Sequence, residues 1–335
     1  MHPAPKVRQV ARFVTDATYP MERTPAEFGR LRLQAESLAF DTGILLDRIG
    51  VGAGWRCLDL GCGAGGITDL LSARAGPTGR VVGLDPDAAS LAAARRWAGE
   101  KGLENVEFVE GDAFAHAQPP EGFDLVHERF VMTTIGRHRE LVDSALALTR
   151  PGGVVAIQEA DAGVLTCYPP HPAWDRLKAI VTTAFEHAGG DCFSGRQVFR
   201  LAVEAGLQQV EFRTCVVGTR RGDPLVDFLP QTILSTKPVI LKHGLASEAE
   251  LARLVDDCRR HLGAPTTVQT SVLVIQVWGW KPVDTRRAPT IPTPGFSVLS
   301  VDRPRRPHSR RFTPTRGAVD VAPRAGVLWS VARHE

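Results

Sequence analysis

The stretch Asp59-Leu60-Gly61-Cys62-Gly63-Ala64-Gly65-Gly66 decides how the rest of the chain is read. It follows an apolar run at 56–60 with the length of a short strand, and it opens a helical stretch at 65–75. Glycines at such a strand-to-helix turn permit tight backbone geometry and close approach to a ligand. The spacing Gly61-x-Gly63-x-x-Gly66 fits a dinucleotide fingerprint as well, so the glycines alone do not choose the ligand. Three acids separate the readings. Asp59 lies two residues before the first glycine, where it would repel a pyrophosphate and attract an ammonium. Asp85 closes the next strand, 80–85, in the place of a carboxylate that accepts from two ribose hydroxyls. Asp112 follows a third strand, 105–110, and can accept from the exocyclic amine of a purine.

Outward from the loop, strands alternate with helical stretches. Residues 87–101 form an alanine-rich helix opened by Asp87, 123–128 a fourth strand, 137–149 a helix closed by Pro151-Gly152-Gly153, and 154–158 a fifth strand. Such alternation predicts a parallel sheet covered by helices. The rhythm then changes. Helices are expected at 172–188 and 195–205, a strand at 210–217, two helices within 223–263, and a last strand at 270–278 pairing antiparallel with 210–217. The helix at 247–262 opens on the capping box Ser247-Glu248-Ala249-Glu250. Upstream, Phe28, Leu31, Ala35, Leu38 and Thr42 recur at helical spacing. They predict one amphipathic helix over 24–48, either above the sheet's carboxyl edge or packed as an extra core helix.

The 335 residues are 43% hydrophobic and 23% charged, ordinary for a globular protein. The best apolar run, 271–280, is about half of what a membrane span needs, and the N-terminus lacks the apolar core of a signal peptide. No membrane partner is expected. Six cysteines without a CxxC pair argue against a disulfide scaffold and a zinc knuckle. No metal and a reducing, cytoplasmic compartment are therefore expected. The net charge of +3 hides an asymmetry: 284–335 holds ten arginines, no lysine and four acids, leaving 30 bases and 33 acids in residues 1–283. With seven prolines and no periodicity, 284–335 reads as a disordered basic tail. Its arginines would attract phosphates, but the mildly acidic body argues against a broad nucleic-acid surface.

Ammonium, ribose and adenine together describe S-adenosylmethionine. On these residues the chain resembles the class I S-adenosylmethionine-dependent methyltransferases, in the small-molecule branch of quinone and natural-product biosynthesis. The resemblance covers roughly 30–280: DLGCGAG at 59–65, VVGLDPD at 81–87, EGDA at 110–113, FDLVHERFVM at 123–132, and LTRPGG with VVAIQEAD at 148–161 stand in the family's order. It implies an α/β, Rossmann-like fold at 51–283 with a seven-stranded, mostly parallel sheet and an antiparallel last strand. A helical lid at 1–50 would precede it, substrate-covering helical insertions at about 163–195 and 218–263 would interrupt it, and the tail 284–335 would follow. The resemblance further implies that Asp59, Gly61, Cys62, Gly63 and Gly65 meet the methionine part. Asp85 would hold the ribose with Pro86 beside the adenine, Asp112 and Ala113 would read the adenine edge, and Glu128, Arg129 and Phe130 would line the methionine side.

The expected activity is methyl transfer to a small organic acceptor, at oxygen before nitrogen or carbon, with a homodimer left open. A base is needed only for a poorly acidic acceptor. His171 and His127 are the catalytic candidates, histidine being the commonest general base; Glu159, Asp161 and His187 are further ones. Phe130, Tyr168, Trp174 and Phe185 are candidates for an aromatic wall, and Tyr19, Arg32 or Gln34 for reaching the cofactor. Each has a plainer reading. The histidines and aromatics can be packing, Asp112 a helix cap, Arg129 an ion-pair partner of Glu159 or Asp161, and Cys62 a filler. Three rivals stand beside this expectation. One is an NAD(P)-dependent oxidoreductase using the same glycine loop. Another is a nucleic-acid or RNA methyltransferase, for which Cys167 is suggestive but its partner motif and a basic groove are missing. The third is a non-catalytic binder that keeps the fold.

Overall fold

Local rules set most element boundaries in the computed structural model, which describes residues 19–114 and 122–283. Thr24 caps α1 (Pro25–Ser37) by accepting from the Glu27 amide, with proline in the first turn, where its missing N–H is no loss. α2 (Ala39–Ile49) ends on left-handed Gly50. The single helix expected over 24–48 is two, because Leu38 leaves the helix to bury with Cys215 and Val274. β1 (Arg56–Leu60) runs into the glycine loop, where Gly61, Gly63, Gly65 and Gly66 all take positive φ. That delays α3 (Thr68–Ala75) to three residues beyond its expected start. β2 (Arg80–Asp85) is followed by α4 (Ala88–Lys101), capped by Asp87 accepting from the Ser90 amide at 2.7 Å. Then come β3 (Val106–Glu110), β4 (Phe123–Arg129), a short α5 (Val131–Ile135), α6 (His138–Leu148) and β5 (Thr149–Asp161). The rest is β6 (Thr166–Tyr168), α7 (Pro172–His187), α8 (Gly195–Glu204), β7 (Gln208–Cys215), β8 (Gly218–Arg220), α9 (Phe228–Ser235), α10 (Lys237–Lys242), α11 (Glu248–Leu262), β9 (Val268–Thr270) and β10 (Leu273–Trp280).

Seven strands form one sheet in the order β3-β2-β1-β4-β5-β10-β7. β1 to β5 pair in parallel, and β10 is antiparallel to both β5 and β7. The last strand therefore pairs with the 210–217 region as expected, and it also inserts between β5 and β7. Alternate strand residues feed two cores. Cys57, Val81, Leu125 and Ala156 pack with Leu45, Leu46 and Leu71 of α2 and α3 on one face. Leu58, Val82, Val126 and Val155 pack with Leu141, Val142 and Val198 of α6 and α8 on the other. Sheets buried on both faces read as continuous apolar runs, as these strands do.

The two insertions do not stand apart. Trp174, Leu177 and Ile180 of α7 share a core with Leu229, Ile233, Ile240, Leu254 and Cys258 of α9, α10 and α11. The expected two helices of 223–263 are three, and a small unexpected sheet, β6-β9-β8, ties the insertions together. Among the described residues no helix is long and apolar enough to cross a membrane. The basic tail expected at 284–335 and the first 18 residues of the N-terminal lid lie outside the described residues.

Candidate cofactor and acceptor site

A cavity of about 790 Å³ opens where the strands deliver their carboxyl ends. Asp59 of β1, Asp85 of β2, Glu110 of β3 and Arg129 of β4 all line it, as open α/β sheets place ligands beyond that edge. α1 contributes Phe28, Leu31, Arg32 and Gln34, and Tyr19 joins from just upstream, so all three residues expected to reach over from the N-terminal side do line the cavity. Burial and the Glu27 charge push the Tyr19 hydroxyl above its ordinary pKa, so it stays a neutral donor.

A buried polar chain runs under the floor. Arg213 donates to Gln276 Oε1 at 2.7 Å, Gln276 Nε2 donates to Gln158 Oε1 at 2.6 Å, and Gln158 Nε2 meets His127 Nε2 at 2.8 Å. His127 Nδ1 meets Asp59 Oδ1 at 2.8 Å. With Gln158 Oε1 occupied by a donor, its amide nitrogen donates to His127, which in turn donates from Nδ1 to Asp59. His127 is therefore not a free base: both ring nitrogens are engaged and the residue is fully buried. It orients Asp59, as a ligand's supporting partner does.

Asp59 Oδ2 is left facing the loop, and Arg129 comes close to the same glycine, Gly66. A Cβ added at Gly66 would lie 3.4 Å from Asp59 Oδ2 and 4.0 Å from Arg129 Nη2. Gly66, at φ +31°, leaves the space beside both groups open. Among the described residues Arg129 forms no ion pair; it donates to Thr42 Oγ1 at 3.5 Å and lies 5.9 Å from the Phe130 ring centre. The plainer reading of Arg129 as partner of Glu159 or Asp161 fails, because Asp161 is held by Arg196 at 2.7 Å and Glu159 by α5. Burial lowers the Arg129 pKa, opposed by Asp59. A carboxylate and a guanidinium flanking a clear gap fit the ammonium and carboxylate of an amino acid. A diphosphate there would meet the Asp59 charge instead.

Asp85 Oδ2 accepts from the Gly63 amide and Oδ1 from the Asp87 amide, both at 2.9 Å. Each oxygen keeps a lone pair for a vicinal diol. Burial raises its pKa, against those two amides. Asp112 Oδ1 accepts from the Phe114 amide at 2.9 Å. Pro86, Ala113, Phe114 and Arg137 line the same end, with the Arg137 guanidinium stacked 3.6 Å from the Phe114 ring centre. Cys62 lines the loop but buries its sulfur with Leu91, Ala94 and Phe108, and burial pushes its thiol well up.

Several expected residues go elsewhere. His171 caps α7 through Nδ1 and stacks on His261 at 4.6 Å; His187 stacks on His243 at 4.4 Å; neither lines the cavity. Glu128 does not line the methionine side: it turns under α5, accepting from the Val131 amide at 3.2 Å. Trp174 is core, Tyr168 is 69% exposed on the small sheet, and Cys167 is buried against Pro169, with its thiol raised by burial. Phe130 and Phe185 do line the cavity, together with Met21, Leu165, Val181 and Leu229, which sequence reasoning missed. Their signal was apolar periodicity, indistinguishable from core.

A methyltransferase-domain family model matches residues 52–213. Trans-aconitate 2-methyltransferase of Paracidovorax citrulli is 41% identical over 118 residues, 35% of this chain and 43% of that protein. The ubiquinone/menaquinone biosynthesis C-methyltransferase UbiE of Pseudomonas aeruginosa is 36% identical over 111 residues, 33% of this chain and 43% of that one. The chain thus spans less than half the length of the curated relatives it matches. A solved structure from Bacillus halodurans C-125, described as a candidate methyltransferase, aligns with a TM-score of 0.50 at 18% identity over 72% of this chain and 99% of that chain, a likeness of fold. Residues 52–213 thus match a methyltransferase domain, and they lie on a Rossmann-like sheet that carries the glycine loop and ends in the antiparallel β10.

Proposed function

We propose that the protein transfers a methyl group from S-adenosylmethionine to an oxygen of a small organic acceptor. The observation that carries the donor half is the Gly66 gap between Asp59 Oδ2 and Arg129 Nη2. Asp59 would hold the ammonium, Arg129 the carboxylate, Asp85 the ribose and Asp112 the adenine edge. When bound, the donor supplies a methyl carbon whose bond to sulfur breaks as an acceptor electron pair bonds to it, leaving a neutral thioether. The chain's own part is placement, which can be worth roughly 7–11 kcal/mol.

Oxygen is favoured by what the cavity lacks. Among the described residues lining it, His127 is engaged at both nitrogens, Glu27 is locked to Arg30 by bonds of 2.6 and 2.7 Å, and the carboxylates Asp59, Asp85, Glu110 and Asp112 stand on the donor side. An oxygen ionised in solution needs no base, whereas a carbon acid or an ammonium must first lose a proton. The relatives' names, one for a carboxylic acid and one for carbon methylation, point both ways. The test is incubation of the purified protein with a metabolite extract and labelled donor, followed by mass identification of whatever gains a methyl. Label found only on nitrogen or carbon would overturn the oxygen assignment.

Asp85→Ala should weaken S-adenosylhomocysteine binding by about 2 kcal/mol, roughly 30-fold, in calorimetry. Because burial raises the Asp85 pKa, wild-type affinity should fall on acidification earlier than an ordinary carboxylate would dictate. Asp85→Asn should flatten that dependence. An unchanged affinity in the alanine variant removes the ribose assignment.

A further inference from the structure

Most of the cations around the cavity already have carboxylate partners, and that restricts the acceptor. Arg30 is buried and fork-paired with Glu27; Arg137 pairs with Glu140 and, with its Nη1 unpartnered, stacks on Phe114 at the end assigned to the adenine, away from the apolar wall; Arg23 lies 3.3 Å from Asp87 and Arg32 lies 4.0 Å from Glu100. No lysine lines the cavity among the described residues. Arg129 is the exception, and it faces the Gly66 gap where the donor's carboxylate belongs.

Away from that gap the wall is apolar: Met21, Leu165, Val181, Phe185, Phe228 and Leu229. The threonine hydroxyls there are turned away from any anion. Thr133 donates to Glu159, Thr182 to the Lys178 carbonyl at 3.0 Å and Thr232 to the Phe228 carbonyl at 2.8 Å. A negative charge entering this compartment finds no unpaired cation on the protein. The donor, once its ammonium and carboxylate are matched, brings one positive charge, the sulfonium. One cation in a dry cavity balances one anion; a second anion would be buried unpaired, which is strongly unfavourable.

We infer that the acceptor is an apolar molecule with a single ionised oxygen, a fatty or aromatic monoacid or an acidic phenol, and not a polycarboxylate. The inference rests on the donor assignment above and names the acceptor class for the same site.

The test is calorimetric and needs no turnover. Decanoate and trans-aconitate are titrated into the 335-residue protein loaded with S-adenosylhomocysteine, whose sulfur is neutral, or with sinefungin, whose amine is positive at the corresponding place. Decanoate should bind at least about tenfold tighter to the sinefungin complex, and more tightly than trans-aconitate in both. Decanoate binding no tighter than trans-aconitate, including no measurable binding of either, overturns the inference, as does indifference to the sinefungin charge. Val272→Arg places an unmatched cation on a half-buried part of the wall and should narrow the preference about tenfold. A preference untouched by that charge also counts against it. If S-adenosylhomocysteine itself fails to bind, the donor reading has failed, a separate result seen before any acceptor is added.

Discussion

Gly66→Ala is expected to lower S-adenosylhomocysteine affinity by at least about 100-fold while costing only a few degrees of melting temperature. The added Cβ would stand 3.4 Å from Asp59 Oδ2 and 4.0 Å from Arg129 Nη2, inside the gap assigned to the methionine head. Displacing that head loses charge-assisted bonds on both sides, each about 1.5–3 kcal/mol. Two such losses exceed the roughly 2.7 kcal/mol that corresponds to 100-fold. The fold is affected less. Gly66 has φ +31°, and a Cβ there also comes within 3.3 Å of the Cys62 carbonyl. Strain of this kind costs about 1–2 kcal/mol, or about 2–8 °C for a domain of this size. Titration calorimetry and a thermal melt on the same sample separate the two effects. Affinity within threefold of wild type would place the methionine head elsewhere and remove Asp59 and Arg129 from the site.

The rim position of the residues in the proposed donor site was legible because its determinants are local. Asp59 is the penultimate residue of its strand, Asp85 the last of its own, and Asp112 follows its strand by two residues, and parallel strands bring their carboxyl ends to one rim. Arg129 was legible by position, but its freedom was not, since that depends on Arg196 having taken Asp161 from 35 residues away. The base candidates after the fifth strand failed for a related reason. β5 continues to Asp161, so Glu159 is still inside the sheet and reaches α5, and His171 is drawn to the helix it caps. The chain from Gln276 through Gln158 to His127 joins residues 118 and 31 apart in sequence, and no spacing rule reports such partners. The small sheet joins strands of three residues, too short to show a period of two. The acceptor wall is apolar at helical spacing on one side of α7 and α9, the same pattern that a core requires.

The largest stability effect should come from the pair of glutamates beneath α5. Glu159 accepts from the Met132 amide at 2.7 Å, the Thr133 amide at 3.0 Å, the Ser194 hydroxyl at 2.8 Å and the Thr133 hydroxyl. It caps a five-residue helix whose residues Val131, Thr133, Thr134 and Ile135 line the cavity. Glu159→Ala orphans these donors together and should cost about 3–5 kcal/mol, on the order of 10 °C in melting temperature. Glu128 lies beside it, fully buried, with Oε1 lacking a hydrogen-bond partner. Burial first, and the Glu159 charge next, push Glu128 well above the usual carboxylate range. Burial raises Glu159 too, but its hydrogen-bond donors oppose that rise, so the charge rests on Glu159 and Glu128 keeps a proton that an exposed glutamate would have lost. The folded state then binds more protons than the unfolded chain between the ordinary glutamate pKa and the raised one. Stability from this source is fully present below about pH 4.3 and is lost as pH rises through the raised value. Glu128→Gln keeps a neutral donor at all pH values. It should therefore flatten the alkaline decline in melting temperature and gain about 1 kcal/mol, roughly 2–4 °C, at pH 8. Melting curves from pH 5 to 9 for both variants decide the matter. A Glu128→Gln profile parallel to wild type would mean that Glu128 is ionised in the fold, and a Glu159→Ala protein as stable as wild type would mean that α5 needs no carboxylate cap.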